Sequence, residues 1–252
     1  MKYRIHLTLL ALCCFACSSW GQERILVAAA SDMKFAMDSL VQSFRSKSSG
    51  VVEITYGSSG KLTEQILNGA PFDLFFSADI GYTELLQSHQ RVSSAIYPYA
   101  KGHLVLWSRS VNPEIRQMQT LRDPSIARVS IANPQHAPYG KRAMECLRYF
   151  GLTEVVKPKL VYGQNVAQAA QFVISGAADA AILALSITRS NAMLQSAGTY
   201  YLIPEESYEP LVQGAVITRR GSEKKLASAF FEFMKSPTAV AILSYYGFSK
   251  PE

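Results

Sequence analysis

Cysteine is scarce in this 252-residue chain, and three of its four copies, at 13, 14 and 17, stand in the first seventeen residues. The rest of the chain keeps Cys146 alone, which excludes an internal disulfide framework there and fits a small buried hydrophobe. Histidine is equally sparse: beyond His6 near the start, His89, His103 and His136 are far apart, and none has metal-ligand spacing to another. Lysine and arginine form no block and interleave with no aromatic run, which argues against nucleic-acid binding. Complete nucleotide or nucleophile motifs are also missing. Gly57-Ser-Ser-Gly-Lys61 has Lys61 where a nucleophile elbow needs glycine, and Thr55 and Leu62 where a phosphate loop needs glycine and Ser or Thr.

What is present begins with a leader. Met1 to Cys17 combines a basic start with an apolar core too short to span a membrane comfortably, and Ser19-Trp20-Gly21 offers small residues for cleavage. Residues 1–21 therefore read as a signal peptide, with lipid anchoring through Cys17 as the second option. Removing Lys2 and Arg4 with it reduces the formal net charge of +6 to +4 (23 basic against 19 acidic residues), a mild field that gathers small anions.

The informative stretch is Ile25 to Asp32. A short apolar strand runs into Ser31, and the spacing of Met33, Met37, Leu40 and Phe44 then gives one face of an amphipathic helix. A hydroxyl at a helix start sits among unpaired N–H groups at the positive end of the helix dipole, where negative charge is favoured. The pattern repeats at once: Val51 to Tyr56 is a β-branched strand, Gly57 to Gly60 a turn, and Ser59 occupies the place of Ser31 before the next helix. Two parallel neighbours aim hydroxyls and free N–H groups at one point of an α/β sheet.

A third unit follows through Asp73 to Leu86, and a second βα series runs from Arg128 to Ile203. Two strands with internal glycines bracket that series: Tyr99 to Trp107 with Gly102, and Leu211 to Thr218 with Gly214. The expected architecture is α/β with two lobes, each a mainly parallel sheet flanked by helices, joined by two hinge strands. Residues 22–101 with 215–252 form lobe 1 and residues 102–214 lobe 2, with helices at 223–234 and 238–246 packing back on lobe 1. The aromatics Phe75, Phe76, Phe230, Phe231 and Phe233 read as core, and Asp73 and Asp79 as strand-end caps.

Five fragments in order carry a resemblance over nearly the whole mature chain. They are Ala28 to Ser31, Tyr56 to Ser59, Gly69 to Asp79, Asn133 to Gly140 and Tyr245 to Phe248. With them the chain resembles the periplasmic molybdate-binding proteins of ABC importers. The resemblance implies the type II periplasmic binding protein fold, with one tetrahedral oxyanion held between the lobes. Carried over by position, Ser31 and Ser59 donate from lobe 1, and Tyr139 and Val166 donate from lobe 2, chiefly through backbone N–H. Molybdenum enters only as the bound oxyanion, molybdate or tungstate. The expected protein is extracytoplasmic, monomeric and non-enzymatic, needs no cofactor, and has an ABC permease as partner.

Two departures stand out. Ala184 occupies a position where some members carry an anion-contacting tyrosine, which leaves Tyr139 to help close the pocket. Asp32 puts a carboxylate beside a dianion, so its side chain is expected to face the helix dipole or solvent, with only its N–H turned inward. The competing readings are a sulfate- or phosphate-binding protein, with Asp32 as proton acceptor for phosphate, and an extracellular serine hydrolase using Ser31 or Ser59 with His136. Molybdate accepts hydrogen bonds and donates none, so a dry cage of N–H and O–H groups satisfies it, whereas a protonated phosphate leaves a donor unpaired there.

Overall fold

The computed structural model describes residues 22–46 and 48–251; the expected signal peptide and Cys17 lie outside the described residues. Among the described residues, ten strands form two five-stranded sheets of matching design. In the first, β1 (Arg24–Ala30) lies between β2 (Val51–Gly57) and β3 (Leu74–Ser77), all parallel. β10 (Leu211–Ile217) then runs antiparallel to β3 and holds β4 (Tyr97–Gly102) at the edge. In the second, β6 (Val129–Ala132) lies between β7 (Leu160–Gly163) and β8 (Ala180–Ala184). β5 (Leu104–Ser108) runs antiparallel to β8, with β9 (Thr199–Leu202) outside it.

The strands read from the sequence are recovered with one change of kind. The stretch from Tyr99 to Trp107 is two strands in different sheets, because the chain leaves the first sheet at Gly102 and enters the second at Leu104. Between them His103 contacts Glu205 through Nδ1 at 2.8 Å and Ser249 through Nε2 at 2.9 Å. Glu205 also pairs with Lys101 at 3.0 Å, so the outward and return crossings between sheets are tied together. The division expected between residues 214 and 215 falls inside β10, whose register shifts between Gln213 and Gly214.

Helices cover the sheets as periodicity requires. The apolar face of α1 (Lys34–Arg45), with Met37, Leu40 and Phe44 buried, packs with Phe230 and Phe233 of the C-terminal helix Lys225–Phe233 on one face of the first sheet. The other face is covered through Leu62 and Ile66 of α2 (Ser59–Leu67) and Leu86 of α3 (Ile80–Ser88). The aromatics expected in the core are all buried there, and Cys146 is a fully buried free thiol in the second lobe. Of the two aspartates read as strand-end caps, Asp79 caps α3 by accepting from Gly81 N. Asp73 instead accepts from Leu26 N and holds Arg220 and Lys224 at 2.8 Å each while fully buried, so it ties β3 to the C-terminal segment.

Candidate oxyanion site

Four strand-to-helix turns, two from each lobe, end at one small pocket in the cleft between the lobes. β1 delivers Ser31 and Asp32, β2 delivers Ser58 and Ser59, the loop after β6 delivers Tyr139 at the start of helix Pro138–Tyr149, and the turn after β7 delivers Val166 at the start of helix Val166–Ile174. All four residues expected at the anion, together with Asp32, therefore line one space. The positions match between lobes, since β1 and β6 are the central parallel strands and β2 and β7 their outer neighbours. The carboxyl ends of such strands, where the helices turn away to either side, form the natural crevice of an open α/β sheet.

Neither serine is consumed in capping its own helix. Ser59 Oγ accepts from Ala78 N at 3.0 Å, and Ser31 Oγ accepts across the cleft from Ala167 N at 3.5 Å. Each hydroxyl thus spends a lone pair on a backbone donor and retains its hydrogen to donate. Ser31 opens a short 3-10 turn and Ser59 opens α2, so both stand where first-turn N–H groups lack helical partners. Pro138 at the first turn of its helix removes one such donor, and the next stands at Tyr139, which lines the pocket. Asn165 caps the other lobe-2 helix by accepting from Gln168 N. No lysine, arginine or histidine is among the lining residues.

Asp32 corrects one expectation. Its side chain does not face solvent: the residue is 1% exposed, and Gln213 Nε2 donates to Oδ2 at 2.6 Å. Oδ1 has no hydrogen-bond partner among the described residues. Burial pushes the carboxyl up to about 6, and hydrogen bonds from Gln213, Tyr139 and the backbone N–H groups of Asp32 and Met33 offset part of that rise. Tyr139 turns its hydroxyl to the same cluster, 3.3 Å from Gln213 Nε2, while Ala184 is fully buried at the end of β8.

The hydrolase arrangement does not assemble. His136 Nδ1 bonds Ser58 Oγ at 2.9 Å, rather than Ser31 or Ser59. Burial and the nearby Lys61 lower its basicity, so the imidazole is neutral at neutral pH. This contact is one of several that shut the cleft and were not read from the sequence. Gly60 N donates to His136 O at 2.9 Å, Ser186 Oγ donates to Asp32 O at 2.8 Å, and buried Arg142 reaches Asp79 at 3.3 Å. Gln213 was missed too, although a single amide in the apolar run Leu211 to Ile217, next to a glycine, is a readable anomaly.

Comparison with known proteins gives a consistent picture. The family described as bacterial extracellular solute-binding protein matches residues 25–249. The molybdate-binding protein ModA of Azotobacter vinelandii is 36% identical over 234 residues, 92% of each chain. That of Rhodobacter capsulatus is 32% identical over 206 residues, 81% of this chain and 80% of the relative. The solved structure of the Azotobacter vinelandii periplasmic molybdate-binding protein superposes with a TM-score of 0.84 at 35% identity, covering 90% of this chain and all of that one.

Proposed function

We propose, from the premise that this chain belongs to the bacterial extracellular solute-binding protein family, that it captures molybdate between its two lobes outside the cytoplasm and delivers it to an ABC importer. The observation that carries the reading is a pocket lined by hydroxyl residues and helix-start residues from both lobes, with no cationic side chain among them. Such a cage suits an anion that only accepts hydrogen bonds. Tungstate has the same charge and tetrahedral oxygen geometry, and the same donors serve it.

Ser31 and Ser59 donate their hydroxyl hydrogens to the anion, and Tyr139 and Val166 donate from lobe 2 through backbone N–H. Because the donors come from both lobes, the anion binds the closed form better than the open one, and that difference drives closure. The protein carries cargo and performs no chemistry, works as a monomer and needs no cofactor. Residues 1–21 are removed on export, which the mass of the exported protein checks.

Titration calorimetry with molybdate, tungstate, sulfate and phosphate tests the reading. Molybdate and tungstate are expected to bind tightly, and Ser59→Ala is expected to weaken both by about 2 kcal/mol through loss of a charge-assisted bond. Tighter binding of phosphate or sulfate would overturn the choice of anion, and an unchanged Ser59→Ala would remove that hydroxyl from the site.

A further inference from the structure

One fully buried amide joins parts of the molecule that closure brings together. Gln213 Nε2 donates to Asp32 Oδ2 at 2.6 Å and to Tyr139 Oη at 3.3 Å, and its Oε1 accepts from Tyr99 Oη at 2.6 Å. The partners belong to different bodies. Asp32 follows Ser31 at the lobe-1 half-site, Tyr139 opens the lobe-2 half-site helix, and Tyr99 lies on hinge strand β4. Gln213 itself sits at the register shift of hinge strand β10.

Gly102 keeps the space open. A Cβ there would come within 2.1 Å of Tyr139 Oη and 2.8 Å of Gln213 Nε2, so a side chain at 102 would displace the groups that bond each other here. The bonds are also mutually dependent. A buried amide left without partners is costly, and a network of this kind is satisfied in one arrangement of its parts. Separating the lobes takes Tyr139 away from Gln213 and Asp32.

We propose that Gln213 is a positioning residue for anion capture: by bonding Asp32 of one half-site and Tyr139 of the other, it couples closure of the cleft to the hinge strands and slows release of the anion. The proposal rests on the molybdate reading above and deepens it. Gln213 touches no anion and lies outside the cavity lining, so its effect acts through the geometry of Asp32 and Tyr139.

The test uses the mature protein, with anion affinity from calorimetry, release rate from stopped-flow, and the melting temperature of ligand-free protein. Gln213→Leu is expected to weaken molybdate binding ten- to a hundredfold, mainly through faster release. In an Asp32→Ala background the same substitution is expected to change affinity less than threefold, because the partner it holds is gone. Tyr139→Phe keeps the backbone donor and supplies a second variant if Gln213→Leu does not fold; it is expected to release the anion several-fold faster. Native affinity and release rate in Gln213→Leu would overturn the proposal, as would an equal loss in the presence and absence of the Asp32 side chain. For Tyr139→Phe, a native release rate would do the same. Binding of molybdate by the unaltered protein tests the functional reading separately. If that binding fails, the same ratios are taken with whichever oxyanion the unaltered protein holds most tightly.

Discussion

Gly60→Ala separates the energetics of closure from those of the anion contacts. Gly60 is the second residue of α2 in lobe 1, and an added Cβ would meet His136 of lobe 2: its O at 2.7 Å, its Cα at 3.0 Å and its Cβ at 3.1 Å. The nearest of these is backbone that already accepts the Gly60 N–H at 2.9 Å, so it cannot swing aside as a flexible side chain does. The clash exists only with the lobes together. Overpacking of this kind costs about 1–3 kcal/mol, which at 1.4 kcal/mol per tenfold predicts a Kd for molybdate raised about 5- to 150-fold. In the separated lobes the same alanine replaces a helical glycine and stabilises by up to about 1 kcal/mol. Calorimetry with molybdate and thermal melts without it therefore move in opposite directions: weaker binding, equal or higher melting temperature. Unchanged affinity would show that the lobes do not approach this closely in the loaded protein, and a lowered ligand-free melting temperature would show that the cost is not confined to closure.

The Asp32 carboxyl is raised from 3.8 to about 6, so the folded closed protein holds its proton more tightly than the unfolded chain does. Stability then falls as pH rises from about 4 to about 6 and levels off above, by about 3 kcal/mol in all. In protein kept closed by saturating anion, Asp32→Asn is expected to lose this dependence; urea midpoints at pH 5 and 7 that shift equally in both proteins would refute it. Arg142→Met removes the buried guanidinium that contacts Asp79 across the cleft, Glu145 on its own helix and Glu209. It is expected to lower the unfolding free energy by about 1–3 kcal/mol, measured by urea denaturation; an unchanged midpoint would refute it.

Much of the architecture was legible because its signals are local. Apolar strands ending in a hydroxyl before a helical period locate Ser31 and Ser59 without knowledge of the rest of the chain, and both line the cavity. Tyr139 and Val166 came from a resemblance, since a backbone N–H leaves little trace in residue type. The break at His103 was hidden because strand pattern continues through it while the chain changes sheets. Asp32 was misjudged for a similar reason. Its burial depends on Gln213, 181 residues away, and no local pattern shows that an amide arrives there. The contacts of His136 with Ser58 and Gly60 likewise join residues about eighty positions apart.

The placement of β10 has a consequence for the order in which the chain folds. In the first sheet β10 lies between β3 and β4, so β4 has no sheet neighbour until residues 211–217 have emerged from the ribosome. The second sheet draws all its strands from the continuous stretch 104–202 and can assemble earlier. Lobe 1 is begun first and finished last, so its sheet closes only after every strand of the second sheet has been made.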